Sequence, residues 1–184
     1  MEDVFKSKEG IVLNSLLTYF ENEEKKQLFI PIVTETSRIS LRILDWFVTN
    51  YSKEHTKKIM RHKDFKDFDI YNSYKSQLKA FNKKLFDPFC RLHTKKNINK
   101  FKFKYDDDKY IITTTGQLNF FKWAIENNVI HYVTEYYNDI KKDLKEKENF
   151  KKSSSPSQSS SNTTDSEKEF YEKKSTCNYL ISFD

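Results

Sequence analysis

Hydrophobic positions along this chain recur mostly at steps of three and four, the spacing of one face of an α-helix. The clearest case lies between residues 71 and 85, where an apolar stripe runs beside a row of lysines. The stripe consists of Tyr71, Tyr74, Leu78, Phe81 and Leu85, and the row consists of Lys75, Lys79 and Lys83. Because proline disrupts a helix interior, Pro88 predicts that this helix ends at or before Asp87.

The first half of the chain contains two more helical patterns. A short helix is predicted over residues 11–20, and a second helix follows Ser37, which can cap it. The second helix is expected at the centre of the core, because one of its faces is strongly apolar. That face carries Ile39, Ile43, Phe47 and Tyr51, and it is widened by Leu44 and Val48.

Two segments beside these helices have weaker patterns. Residues 28–33 are apolar and β-branched, and Pro31 favours an extended edge segment or a buried connector there instead of a helix. Residues 52–70 are polar with scattered apolar positions, which predicts a long connection with one short helix. The side chains expected to hold that connection against the core are Ile59, Phe65, Phe68 and Ile70.

The second half begins with an alternation of period two, which is typical of a β-strand. Aromatic residues at 101, 103 and 105 alternate with Lys102 and Lys104, and Asp106–Asp108 form a turn. The β-branched stretch at 109–113 completes a predicted hairpin with one aromatic and one lysine face.

Two helices are predicted after the hairpin. Thr114 or Thr115 is expected to cap the first, with Gln117 reaching back to the N–H of the cap residue. Leu118, Phe121 and Ile125 form its apolar stripe, and Asn127-Asn128 ends it. The last helix is predicted from Val129 to Leu144, ending in the charged run at 141–148.

These elements predict an α+β fold that is predominantly helical, with four to five helices and one β-hairpin. Only 2 Gly and 3 Pro occur in 184 residues, too few for a many-turned β-sandwich or a glycine-rich phosphate loop. We expect one domain over residues 1–150 and a disordered Ser-rich linker over 151–175. Residues 176–184 form a strand-like terminal peptide, in which Tyr179–Phe183 can dock on the domain or on a partner protein.

The positive charge of the chain is concentrated in its middle. Residues 30–104 contain 18 Lys and Arg against 7 Asp and Glu, a net +11, whereas residues 1–29 and 105–184 carry −2 and −3. Such a block is typical of a surface that binds nucleic acid or another polyanion. The alternative is a solvated, lysine-rich surface that reflects an AT-rich genome.

The candidate nucleic-acid ligands lie on the lysine-bearing helix and on the segment that follows it. Lysine and arginine neutralise phosphates without distinguishing bases, and the hairpin aromatics offer stacking surfaces unless they belong to the core. The candidates are Lys75, Lys79, Lys83, Lys84, Arg91, Lys95, Lys96, Lys100, Lys102 and Lys104. Either DNA or RNA is a possible partner.

Signals for catalysis, metal binding and membrane insertion are weak. The chain has no P-loop, zincin, esterase or kinase motif, and its carboxylate clusters at Asp64, Asp67 and Asp69 and at 106–108 are explained by charge compensation and turn formation. Cys90-x-x-His93 is half of a zinc motif, and the distant Cys177 makes a disulfide framework improbable. We therefore predict no catalytic residue, metal, cofactor or membrane span, and a reducing compartment without secretion. The alternative for these carboxylate clusters is a metal-dependent nuclease, which would need them gathered in one cleft.

Six stretches carry a resemblance to a known family. They are FIPI (29–32), ISLRILDWFVTNY (39–51), YKSQLKA (74–80), FDPFCR (86–91), GQLNFFKWAIEN (116–127) and ISFD (181–184). In this order they resemble an uncharacterised family encoded by nucleocytoplasmic large DNA viruses, including mimivirus-like ones. The resemblance implies a viral protein of the infected cell or of the virion, and it assigns no activity to any residue.

Charge, motifs and resemblance together predict a non-enzymatic viral protein that associates with nucleic acid through a basic surface, without sequence specificity. The alternative is a protein–protein adaptor or virion component that uses aromatic faces and the terminal peptide. Localisation in the host cytoplasm or the virion is expected in both cases.

Overall fold

A computed structural model describes residues 7–90 and 100–153 of the chain. Within these ranges it contains nine α-helices, a π-helical turn, a 3-10 turn and one two-stranded antiparallel sheet. The helices are α1 (Lys8–Tyr19), α2 (Glu23–Val33), α3 (Leu41–Trp46), α4 (Ser52–Glu54), α5 (Thr56–Ile59), α6 (Ile70–Leu85), α7 (Thr115–Glu126), α8 (Val129–Glu135) and α9 (Tyr137–Ser153). The predominantly helical α+β class is confirmed, but the prediction of four to five helices was wrong.

The larger helix number comes from local interruptions and one unexpected helix. The helix predicted after Ser37 is divided by a π-helical turn, and the connection over 52–70 holds α4, α5 and the 3-10 turn Lys63–Phe65. The helix predicted from Val129 to Leu144 is interrupted at Tyr136 and then continues to Ser153. Ion pairs such as Lys142–Glu146 let α9 continue through the charged run where we expected its end.

The expectation that Pro31 prevents a helix was wrong, because Pro31 lies inside α2. It occupies the last turn of the helix, so its missing N–H removes one hydrogen bond and leaves the preceding turns intact. Asn22 caps the start of the helix, and Phe29, Ile32 and Val33 are buried in the core. Burial of this apolar face compensates the local disruption by Pro31.

A π-helical turn, Phe47–Tyr51, joins α3 to α4. The cap of α3 is Ser40, whose Oγ accepts from the N–H of Ile43 at 3.3 Å, and not Ser37 as predicted. Buried residues in this segment recur strictly every four positions, as 43-47-51 and 44-48-52. An α-helix turns about 100° per residue, so such a stripe would drift about 40° at each step. The wider π turn absorbs that drift and keeps both rows facing the core.

The centre of the core is α7, not the helix over 41–54. Every residue of α7 from Thr115 to Phe121 is buried, as are Trp123 and Ala124. This helix packs against α1, α2, α6, α8 and β2 (Tyr110–Thr114). The first two turns of α7 are buried on all sides, so the position of this helix fixes the positions of the elements around it.

The end of α6 is fixed to the start of α7 by buried hydrogen bonds. The amide of Asn119 donates to the Leu85 carbonyl at 2.8 Å, and the amide of Gln117 donates to the Pro88 carbonyl at 3.0 Å. The Asp87 N–H donates to the Gly116 carbonyl at 3.1 Å. We call these contacts between residues 85–88 and 116–119 the α6–α7 junction.

The predicted capping box at α7 is half correct. Thr114 caps the helix, and its Oγ1 accepts from the N–H of Gln117 at 3.1 Å. The Gln117 side chain, however, does not return to the N–H of the cap, because its Oε1 accepts from the Thr113 hydroxyl and its amide is used at the junction.

The predicted hairpin is confirmed as β1 (Lys100–Lys104) and β2, paired antiparallel with Lys102 opposite Ile112. Its aromatic face points to the core, where the ring of Phe103 lies 5.8 Å from Phe29 and 6.2 Å from Phe20 between ring centroids. The linker was predicted to begin at residue 151, but residues 151–153 belong to α9. The rest of the predicted linker, 154–175, and the terminal peptide over 176–184 lie outside the described residues.

Candidate nucleic-acid interface

Helix α6 carries four lysines and no acidic residue. Asp69 caps it, accepting from the N–H of Asn72 at 2.9 Å, and Phe86 ends it in an extended conformation. Lys75, Lys79, Lys83 and Lys84 are all exposed on it. Successive members of the row lie about 6 Å apart along the axis, because they are separated by four residues.

The four lysines differ in their partners. Lys84 forms an ion pair with Glu9 at 2.7 Å, which partly neutralises it. Within the described residues, no ion pair is formed by Lys75, Lys79 or Lys83. Lys83 and Lys84 also lie in the last turn of α6, where positive charge stabilises the helix dipole, so part of their role is structural.

The hairpin lysines form a second group. Lys102 and Lys104 are exposed, whereas Lys100 is half-buried at the base of the hairpin. The ammonium of Lys102 lies 4.4 Å from the ring centroid of Tyr110. Phe103, the second aromatic residue of β1, is 5% exposed, so it belongs to the core and offers no stacking surface. Arg91, Lys95 and Lys96 lie outside the described residues.

The α6–α7 junction connects the two lysine groups. Lys100 pairs with Thr114, the cap residue of α7. Gly116 lies close to the backbone of Lys84, because a Cβ atom added at Gly116 would be 2.8 Å from the Lys84 carbonyl oxygen. The base of the hairpin and the C-terminal end of the lysine helix therefore meet at the start of α7.

A cleft of about 310 Å³ lies beside the lysine row. Its walls come from α3, the π-helical turn, α6 and the first residues after α6, and they include Asp45, Thr49, Tyr71, Tyr74, Lys75, Leu78, Lys83, Phe86 and Asp87. The structure thus brings two of the predicted lysines, Lys75 and Lys83, to one concave site, and does not place Lys79 there.

Sequence reasoning missed the acidic wall of this cleft. No prediction was made for Asp45 or Thr49 from the sequence, and Asp87 was considered only as the end of a helix. No sequence signal indicated this wall, and the Thr49 hydroxyl donates to the backbone carbonyl of Asp45 at 2.6 Å, a contact that does not involve the Asp45 side chain.

The two carboxylate clusters serve local structure. Asp64 lies 3.7 Å from Nδ1 of His62, Asp69 caps α6, and Asp67 has a left-handed backbone with φ 60°. In the hairpin turn, Asp106 pairs with Lys109 at 2.7 Å.

One group of possible metal ligands occurs in the part of the chain that the structure describes: Glu54, His55 and Asp143. Two of its members have other partners, since Glu54 pairs with Lys147 at 2.8 Å and Asp143 accepts from the indole N–H of Trp46 at 2.8 Å. Cys90 is buried near the Ile112 carbonyl, with Sγ 3.6 Å from the oxygen, while His93 and Cys177 lie outside the described residues.

The perturbed pKa values move away from neutrality. Burial raises the pKa of the Tyr132 hydroxyl, and a hydrogen bond to Asp139 raises the pKa of Lys58. A hydrogen bond from Lys109 lowers the pKa of the Asp106 carboxyl. These groups keep their usual protonation state near neutral pH.

Comparison with known proteins decides the family. The model of a family of unknown function, DUF7197, matches residues 1–184. The chain belongs to this family. Its similarity to "Uncharacterized protein L507" of Acanthamoeba polyphaga mimivirus is 40% identity over 174 residues, which covers 89% of this chain. The prediction of an uncharacterised mimivirus-like viral family is confirmed.

The chain spans 65% of the length of that mimivirus relative. No solved structure matches this member of DUF7197. Among its described helices, none has the length and apolar character needed to cross a bilayer.

Proposed function

We propose that this DUF7197 protein is a non-enzymatic viral protein that binds nucleic acid through a basic surface, without sequence specificity. The observation that carries the proposal is helix α6, on which three exposed lysines recur at a fixed spacing without an acidic residue in the helix. Lysine ammonium groups bind phosphates as point charges, and they carry no information about base sequence.

The contrast with α9 supports this assignment. That helix is also rich in lysine, but acidic residues accompany them, and Lys142 and Lys147 pair with Glu146 and Glu54. A lysine used only for solubility is commonly balanced in this way. The lysine row of α6 is not balanced by acidic residues of its own helix, so its positive charge is available to an external anion.

The test is a fluorescence-polarisation titration of single-stranded DNA and RNA at several salt concentrations. Each phosphate contact on a single strand contributes about −0.7 to the slope of log K against log salt. Replacing Lys75, Lys79 and Lys83 by glutamine should therefore reduce the slope by about 2.

A matched control removes the same charge from α9 through Lys141, Lys142 and Lys145. Glutamine has nearly the helix propensity of lysine, so both triple variants should fold. The control should leave the salt slope almost unchanged. Absence of wild-type binding at low salt, or equal losses in the two variants, would overturn the proposal.

A specific observation favours a second candidate, a protein–protein adaptor or virion component. Ile11, Leu17 and Leu28 on α1 and α2 are exposed, with 61% of Ile11 accessible to solvent. Deleting residues 176–184 and recovering viral partners from infected cells tests this role. Loss of partners together with absent nucleic-acid binding would favour the adaptor over the proposal above.

A further inference from the structure

The face of the hairpin that carries the lysines also carries an aromatic residue, Tyr110. In the antiparallel register Tyr110 lies directly opposite Lys104. Directly opposed residues point to the same face of a sheet, so Tyr110 shares the face of the lysines and not that of Phe103. The Nζ atom of Lys102 lies 4.4 Å from the ring centroid of Tyr110, as expected for side chains on one face.

This face of the hairpin is turned towards solvent. Lys102 and Lys104 are exposed and Tyr110 is half-buried, whereas Phe103 and Ile111 on the opposite face are buried in the core. We call Lys102, Lys104 and Tyr110 the lysine–tyrosine face. Its two lysines are separated by two strand residues, or about 7 Å along the strand. That spacing is close to the step of about 6 Å between lysines of the α6 row.

The surroundings define the two ends of the lysine–tyrosine face. Asp106–Asp108 form the turn of the hairpin, where Asp106 pairs with Lys109 at 2.7 Å. Carboxylates repel phosphates, so a polyanion on this face must leave it before the turn. At the other end, Lys100 pairs with Thr114 beside the α6–α7 junction, where the lysine helix also ends. A strand that crosses the face can therefore continue towards the lysines of α6.

A basic surface with an aromatic ring among its lysines is typical of sites for single-stranded nucleic acid. The lysines neutralise phosphates, and the ring stacks on the flat face of an unpaired base. In a duplex the bases are stacked on one another, so their faces are not available to a protein side chain. An inorganic anion would use the lysines and leave the ring without a role.

The contact between Lys102 and the Tyr110 ring is compatible with this use. A cation–π contact at an exposed site is weaker than the stacking of a base on an aromatic side chain. An incoming base can therefore displace the ammonium group from the ring. The displaced ammonium group then remains close enough to pair with a phosphate beside that base.

We propose that Tyr110 stacks on a base of single-stranded DNA or RNA while Lys102 and Lys104 bind the adjacent phosphates. This inference rests on the proposed nucleic-acid function and names its substrate class, a single strand. Stacking does not select among bases, because every base has an aromatic face, so the binding stays independent of sequence.

The experiment compares oligo(dT) with a DNA duplex of the same length by fluorescence polarisation, with the full chain. Tyr110→Val removes the ring and keeps a residue that favours β-strands. It should weaken binding of oligo(dT) at least about fivefold, the lower end of the range for one stacked base. Binding of the duplex should change by less than about twofold, because its phosphate contacts are retained.

The salt dependence separates stacking from charge. Stacking releases no counterions, so Tyr110→Val should keep the slope of log K against log salt, whereas Lys102→Gln should reduce it by about 0.7. Tyr110→Trp should restore binding of oligo(dT), because tryptophan also stacks on bases. The matched control is Tyr19→Leu, since Tyr19 is a half-buried tyrosine on α1 with the Nζ atom of Lys25 3.7 Å from its ring centroid. It should leave oligo(dT) binding unchanged.

The outcomes separate this inference from the proposed function. Equal losses of oligo(dT) and duplex binding in Tyr110→Val, or no loss of either, would overturn the stacking inference and leave the proposed function standing. A wild type that binds the duplex but not oligo(dT) would have the same consequence. Absence of wild-type binding to both at low salt would overturn both proposals.

A second measurement requires no variant, in case Tyr110→Val does not fold. The wild-type chain is titrated with oligo(dT) and followed by NMR through the amide signals and the ring-proton signals of tyrosine. A base stacked on Tyr110 should move its ring-proton signals upfield, because of the ring current of the base. Shifts of the Lys102 and Lys104 amides without any shift of the Tyr110 ring would indicate phosphate contacts alone and contradict the inference.

Discussion

Replacing Gly116 by alanine should loosen the α6–α7 junction. Gly116 is the second residue of α7, and a Cβ at this position would lie 2.8 Å from the Lys84 carbonyl oxygen and 3.3 Å from the Phe86 amide nitrogen. Both neighbours are backbone atoms of the segment that the Asn119–Leu85 and Asp87–Gly116 hydrogen bonds hold against α7, so α6 and α7 must separate by roughly half an ångström to restore ordinary contact distances.

The expected loss of stability combines two opposing contributions. Overpacking in a close-packed interior costs about 1–3 kcal/mol. Alanine in place of glycine favours a helix by up to about 1 kcal/mol, and by less within the first turn. The free energy of unfolding should therefore fall by about 1–2 kcal/mol, which lowers Tm by roughly 3–6 °C for a chain of this size.

Urea unfolding followed by far-ultraviolet circular dichroism measures this loss. The reverse substitution Ala80→Gly is a useful control, because Ala80 is exposed in α6 and reports helix propensity without a packing term. The close contact is contradicted if Gly116→Ala is as stable as the wild type. It is also contradicted if the free energy of unfolding of Gly116→Ala rises by about as much as that of Ala80→Gly falls, because only helix propensity then differs.

Two further predictions concern Glu35 and Tyr19. Glu35 is exposed with a left-handed φ of 58°, so Glu35→Gly should raise the free energy of unfolding by about 0.5–1 kcal/mol, whereas Glu21→Gly, at an exposed position without positive φ, should not. Urea titrations of both variants check this, and equal effects would contradict it. Burial, assisted by Glu126, raises the pKa of Tyr19 to about 12. A raised pKa contributes stability that is complete below pH 10 and is lost as pH rises towards 12, so Tyr19→Phe should show a smaller decrease in Tm over that window. Equal decreases in Tm for the wild type and for Tyr19→Phe as the pH rises past 10 would refute this prediction.

Local sequence signals predicted the elements in which one pattern dominates. The limits of α6 followed from its stripe and from Pro88, and the hairpin followed from the alternation of Phe101–Tyr105. In both cases the apolar face that the pattern defines is the face that the core buries. The lysine row was predictable for the same reason, because it occupies the face of α6 that the core does not bury.

The errors arose where tertiary contacts outweigh local preference. Pro31 is tolerated because its helix is capped at the other end and buries four apolar side chains. Gln117 satisfies a hydroxyl and a carbonyl from distant segments in preference to its own helix end. The acidic wall of the cleft was not predictable, because Asp45 and Asp87 are 42 positions apart in the sequence and come to line one cleft only in the folded chain.

The π-helical turn has a consequence for the evolution of the family. Loss of a single residue within Phe47–Tyr51 would restore a regular α-helix, because five residues of a π turn advance about as far around the helix axis as four residues of an α-helix. Tyr51 and Ser52 would then still face the core, one position closer to Phe47 in the sequence. We therefore expect aligned DUF7197 sequences to tolerate a one-residue gap in this turn, with the apolar stripe changing from steps of four to mixed steps of three and four, and to show no such gap in α3 or α4.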